Sequence, residues 1–308
     1  MNQKIKNHNL IAPHFALVAV QLFFGTLPVV GKYVLQTIPS FSLVAFRIGG
    51  AALAFVILQS FSESGLRLER KSHYGWFFLY SLLGVALNQI LFINGLALTT
   101  ATNTSLLAVL IPIFALLVSV FLRLDKLSTR KIFGVVLAAA GVIYLIDPTK
   151  ASFSSATTRG DLFIIVNCFF YASYIAISKR LITHYGALKS MAWLFLFGSI
   201  ITVPLGIYSM RTVDLAGVPN LIWLAIAGII FFPTILAYYL NAWALARVTP
   251  SVVAIYIYLQ PLIGFTSAVI FLDEHFSLRT VFAAILIFAG LFLVTRQPKT
   301  NAADITYP

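Results

Sequence analysis

LAVLIPIFALLVSVFLRLDKLSTR (Leu107–Arg130) and YIYLQPLIGFTSAVIFLDEHFSLR (Tyr256–Arg279) are two copies of one pattern, 149 positions apart and in register without a gap. Pro112 falls on Pro261, Ser128 on Ser277 and Arg130 on Arg279. Working outward, Leu96–Ala97 falls on Leu245–Ala246 and Ala140–Gly141 on Ala289–Gly290. Asp125 meets Glu274 where both copies break for a short polar loop, and apolar residues face apolar residues in between. A period this long in an apolar chain means two copies of one multi-helix unit. In membrane proteins such duplication goes with carriers whose binding site lies between the halves.

Composition sets the solvent. Of 308 residues, 60% are hydrophobic and 10% charged, against about 25% charged in a soluble domain. That is too little charge to coat a water-facing surface, so most of the chain must be solvated by lipid. The formal net charge of +12 raises the question of nucleic acid. Nucleic-acid binders gather their basic residues on one face, whereas here they occupy short gaps between apolar runs, as membrane orientation requires. No nucleic-acid partner is expected. Cys168 is the only cysteine, which excludes an intrachain disulfide and a cysteine metal cluster. Lys4 and Lys6 precede an apolar run too long for a signal peptide, with no A-x-A cleavage pattern, so it reads as a retained first helix.

A spanning helix needs about 20 apolar residues. Ten stretches qualify, at approximately 12–36, 40–59, 74–98, 101–122, 130–147, 161–180, 189–209, 219–243, 249–272 and 278–296. The expected organisation is a first five-helix repeat over 12–147, a linker over 148–160 and a second repeat over 161–296. With the N-terminus in the cytoplasm, fifteen Lys and Arg fall in cytoplasmic segments and four on the opposite side. That bias puts both termini inside. Five helices per repeat is an odd number, so the second copy starts from the other side and the halves are inverted. The fold class is thus an all-α integral membrane protein, ten transmembrane helices in two inverted five-helix repeats around a central cavity. Such halves can rock and open the centre to one side and then the other.

FFGTLPVVGKYVLQTIPSFSLVAFRIGGAALAF (Phe23–Phe55) resembles the opening of an EamA domain. Lys32, Pro39 and Arg47 fall where that family has a Lys ending the first helix, a Pro in the turn and an Arg in the second helix. Gly95–Phe121 resembles the family's third-to-fourth helix junction with its mid-helix Pro. Gly160–Asp161 resembles the start of the second domain, and Ala244–Gly290 resembles the junction and tail once more. The likeness runs from about residue 14 to 295 and points to the ten-helix branch of the drug/metabolite transporter superfamily. One departure is Phe24 before Gly25, where the family often has Trp. The resemblance implies secondary carriage of metabolites, mostly amino acids and related amphipathic or drug-like compounds, usually as export from the bacterial inner membrane.

Candidate site residues come from polar positions inside the apolar stretches. Gln21, Gly25, Pro28 and Lys32 share one face of the first helix; Ser81, Gly84, Asn88 and Gly95 share one of the third. Asn167, Tyr171, Tyr174 and Ser178 align in the sixth, Thr234, Tyr238 and Asn241 in the eighth, and Tyr256, Gln260 and Ser267 in the ninth. A polar face in lipid must meet protein or a cavity. Helix–helix hydrogen bonding is the alternative use. Gln21, Asn88, Tyr171, Tyr174, Tyr238, Tyr256 and Gln260 are the expected substrate contacts. Lys32 and Arg47 are cations inside predicted helices. Each marks an anion or coupling site, or is a long side chain that reaches the outer headgroups or makes structural hydrogen bonds. Pro112 and Pro261 interrupt matching helices, which in a carrier points to the gating region.

No predicted helix has an Asp or Glu at its centre, so a midplane carboxylate relay is not expected. If protons are the coupling ion, Lys32, a histidine or the substrate must carry them. The sequence has no H-E-x-x-H, Walker loop or G-x-S-x-G and no metal-ligand spacing. No enzyme activity, cofactor or metal is expected. A carrier of organic or phosphorylated anions and a lipid-modifying membrane enzyme are the competing readings. The partners are a small-molecule substrate and the lipid bilayer, and both a monomer and a homodimer fit.

Overall fold

The computed structural model describes residues 2–63, 65–122, 128–146, 155–211, 213–248, 253, 256–257, 259–273 and 277–295. Among these, all regular structure is helical. The helices are α1 (Asn2–Leu35), α2 (Ser40–Ser60), α3 (Lys71–Leu98), α4 (Ala101–Phe121), α5 (Thr129–Ile146), α6 (Ala156–Tyr185), α7 (Ala187–Met210), α8 (Asn220–Leu245), α9 (Leu259–Leu272) and α10 (Leu278–Thr295). Seven of them, α1–α4 and α6–α8, are long and apolar enough to cross a membrane. Hydrocarbon offers the backbone no hydrogen bonds, so a spanning segment must satisfy its own, as a helix does. Exposed side chains such as Phe15, Leu53, Phe133, Ile200, Leu224 and Phe282 form the outer surface. α6 starts at Ala156, so the later part of the expected linker is already helical. Residue 147 at the end of the first repeat, residues 148–154 of the linker and most of 249–258 in the ninth stretch lie outside the described residues.

The packing follows the duplication. α2 lies along α7 and α5 along α10, each helix against its own counterpart. α3 packs on α6 as α8 does on α1, and α4 packs on α6 as α9 does on α1. The α5–α10 crossing depends on one equivalent glycine pair. A Cβ on Gly141 would sit 2.7 Å from Ile287 Cγ1, and one on Gly290 would sit 2.5 Å from Ala138 N. Small residues let helix backbones approach this closely.

Helix irregularities recur at the same 149-residue offset. Pro112 lacks the N–H that would bond Ala108, and α4 breaks at Ala108–Val109 with Ile111 N bonding Ala108 O at 3.1 Å. In α9, Gln260 N bonds Ile257 O at 3.0 Å, the matching bond beside Pro261. α3 and α8 each carry a π-bulge, at Leu82–Ala86 and Phe231–Leu236. Gly84 in the first corresponds to Pro233 in the second. Pro233 has no N–H for Ile229 O, and the Thr234 hydroxyl takes that carbonyl at 2.8 Å.

Candidate functional site

Where the halves meet, a cavity of about 60 Å³ opens between α1, α3, α4, α6, α8 and α9. Half of its lining is apolar, made by Phe24, Leu27, Phe92, Ala108, Ile111 and Ile164. The other half is polar, made by Asn88, Gln89, Asn167, Tyr171, Tyr238 and Gln260. Small-molecule sites measure about 300–1,000 Å³, so a metabolite enters only when helices move.

The polar wall holds one network of Asn88, Gln89, Asn167 and Tyr238, built on the two π-bulges, and a separate Asn241–Tyr171 pair. Gln89 follows the first bulge and Tyr238 follows the second, and they are counterparts, 149 residues apart. Gln89 Nε2 donates to the Tyr238 hydroxyl at 2.5 Å and to Asn88 Oδ1 at 2.9 Å. The Tyr238 hydroxyl has Gly84 O at 3.3 Å and Asn88 Oδ1 at 3.4 Å as its acceptors. Asn167 Nδ2 donates to Asn88 O at 2.8 Å, and Asn241 Nδ2 to the Tyr171 hydroxyl at 3.2 Å.

Arg47 stands behind this wall. It is fully buried, which ends the alternative in which its side chain reaches the headgroups. Its Nη1 donates to Gln89 Oε1 at 2.5 Å and its Nε to Thr234 Oγ1 at 3.0 Å. Guanidinium only donates, so the Gln89 amide must turn its oxygen to Arg47 and its nitrogen to Tyr238. Arg47 Nη2 is buried and makes no hydrogen bond.

The other expected site residues are distributed differently. Gln260 Nε2 donates to buried Gln21 Oε1 at 2.6 Å, tying α9 to α1 beside the cavity. Two helical turns nearer the start of α1, His14 Nδ1 meets the Tyr256 hydroxyl at 2.7 Å, so Tyr256 lies outside the cavity lining. Tyr174 is also off the lining. It packs on Tyr171 and against the Cβ-less backbone of Gly84, where an added Cβ would fall 2.6 Å from the Tyr174 ring. Lys32 lies at the far end of α1, with Nζ 3.4 Å from Ala97 O, and takes no part in the cavity. Pro112 lies just past the break in α4, beside Ile111, and Pro261 lies in the first turn of α9, beside Gln260.

Gln89, Asn167, Thr234 and the apolar wall join the site without having been singled out as contacts. The signal for Gln89 was available, because the 149-residue offset maps it onto Tyr238. Leu27 also borders a second space, an apolar crevice of about 320 Å³ between α1 and α8 that includes Phe23, Val30, Phe232 and Pro233.

A family model described as the EamA-like transporter family matches residues 12–146 and again 158–296. An uncharacterized transporter of Archaeoglobus fulgidus is 29% identical over 92% of this chain and 97% of its own. The uncharacterized transporter YetK of Bacillus subtilis is 24% identical, covering 93% and 87%. A WAT1-related protein of Arabidopsis thaliana is 26% identical, covering 91% and 84%. A solved crystal structure of a protein aligns with a TM-score of 0.66 at 19% identity, over 92% of this chain and 96% of that one. Two family matches in tandem over an apolar, two-repeat helical bundle give one conclusion: the chain is a multi-pass membrane transporter and belongs to the EamA-like transporter family.

Proposed function

We propose that the protein is a secondary active transporter that exports a small amphipathic metabolite, an amino acid or a relative of one, by alternating access. In this reading it lies in the bacterial inner membrane with both termini in the cytoplasm, as the basic-residue bias supports. The Gln89–Tyr238 hydrogen bond carries the reading. It joins counterpart positions of the two halves on the wall of a half-apolar, half-polar space. Carrier sites lie at such repeat interfaces, and that mix of linings suits a small molecule with an apolar body and a polar end.

Substrate entry requires the 60 Å³ cavity to widen. The Gln21–Gln260 and His14–Tyr256 pairs, which hold α1 to α9, are the contacts to release on the cytoplasmic side. A proton-coupled cycle would run through the substrate or His14. The one buried carboxylate among the described residues, Asp161, is held by Thr99 and Asn103 away from the cavity. The family match favours transport over lipid modification.

The test is release from proteoliposomes loaded with a small-molecule extract of the host cell and followed by mass spectrometry. A restricted set of amphipathic metabolites should leave vesicles that contain the protein and stay in empty ones. Release profiles identical for the two vesicle types would sink the proposal.

A further inference from the structure

We infer that the transported compound carries a carboxylate, and that Arg47 is the positive charge set beside the cavity to receive it. The inference rests on the cavity being the substrate site. Arg47 sits eight residues into α2, roughly 10 Å from the helix start at ~1.5 Å per residue, and has no solvent exposure. Two of its nitrogens are used, by Gln89 from α3 and Thr234 from α8, and Nη2 has no partner. Among the described residues no carboxylate pairs with it. Asp161, the one buried carboxylate among the described residues, is hydrogen-bonded by Thr99 Oγ1 at 2.5 Å and by Asn103 Nδ2 at 3.2 Å.

An unpaired charge in a membrane interior is expensive and marks function. Bridging Gln89 to Thr234 does not need a charge, since a neutral amide side chain could donate the same two bonds. The guanidinium therefore has a use beyond those bonds. Its field reaches the cavity through Gln89. With the Gln89 oxygen held by Nη1, the amide N–H groups are polarised toward Tyr238 and Asn88 on the cavity wall. A negative group there can take the Tyr238 O–H, whose present acceptors are 3.3 and 3.4 Å away, and the Asn88 amide N–H. Both are backed by a full positive charge in a low-dielectric setting, where such attraction is strong. The apolar part of the lining, with Phe24, Phe92 and Ile111, takes the apolar body. One cation balances a monoanion and leaves a phosphate dianion half-neutralised, and Lys32 is too far along α1 to supply a second charge.

The experiment uses the full chain purified into lipid nanodiscs. Thermal unfolding is followed with pairs of compounds that differ only at the acid: 3-phenylpropionate and 3-phenylpropanamide, 4-methylpentanoate and its amide, L-phenylalanine and L-phenylalaninamide. At least one acid should raise the unfolding midpoint, with apparent affinity at least tenfold above its amide. Arg47→Gln should abolish that preference and Arg47→Lys should weaken it. Amides that stabilise as well as their acids would overturn the inference, as would no response to any acid, or an undiminished preference in Arg47→Gln. Should Arg47→Gln fail to fold, the acid–amide comparison on the unaltered protein still decides. Proteoliposomes that release only neutral or cationic compounds would sink the carboxylate inference and leave transport standing, whereas no release at all would sink the transport reading.

Discussion

Gln89 shows how one side chain can organise a site. Its oxygen is claimed by Arg47 and its nitrogen by Tyr238 and Asn88, so a single amide links α2, α3 and α8. The two nearby tyrosines separate by role. Tyr238→Phe keeps the ring and loses the hydroxyl that Gln89 reaches. Stability should change by about 1 kcal/mol and apparent substrate affinity should fall about five- to tenfold, as for one buried hydrogen bond. Tyr174→Ala instead empties the space over Gly84 and should cost about 3–5 kcal/mol of stability, read as a lower unfolding midpoint and a lower yield of folded protein. Equal effects from the two variants would erase the distinction. Polar side chains on apolar helices announce themselves, which is why Asn88, Tyr171, Tyr238 and Gln260 were visible in the sequence. Gln89 could be found only through its 149-residue match to Tyr238, because regular helical spacing puts it off the face of Ser81, Gly84 and Asn88. The bulge at Leu82–Ala86 inserts about one residue, or roughly 100° of rotation at 3.6 residues per turn, and the regular face no longer holds beyond it.

Among the elements, α8 owes its function to a defect. Pro233 frees Ile229 O, Thr234 takes it, and the Thr234 oxygen is then presented to Arg47. Replacing Pro233 with Ala restores an N–H, allows a regular turn and rotates Thr234 away from Arg47. Transport should fall at least tenfold while folded protein is retained, and amides of residues 229–236 should exchange hydrogen more slowly. Unchanged transport with slowed exchange would mean that the bulge is incidental. An interruption at Pro112 could be expected from the sequence, since a missing N–H acts wherever the chain places it. The bulge at Gly84 could not, because glycine permits many conformations and specifies none. Helix existence and order were legible because hydrocarbon leaves few alternatives.

The whole molecule is a pair of bundles held together by α2 on α7, α3 and α4 on α6, and α8 and α9 on α1, with α5 and α10 clasped to each other by Gly141 and Gly290. The 149-residue period made this architecture readable before any coordinates. What it concealed was the size of the central space, which depends on how far α1 and α9 have closed. If closure and opening are the working cycle, tethering them must stop it. In a Cys168→Ala background, Gln21→Cys with Gln260→Cys, joined by a short bifunctional thiol reagent, should halt transport, and cleaving the tether should restore it. A tethered protein working at full rate would show that α1 and α9 never part. The Gln89–Tyr238 pairing has a last implication, for ancestry. Two identical copies of the first half would set glutamine against glutamine and offer Arg47 the aliphatic Val85 in place of Thr234. The halves have specialised, one keeping the cation and the other its hydroxyl partners, and neither can now stand in for its twin.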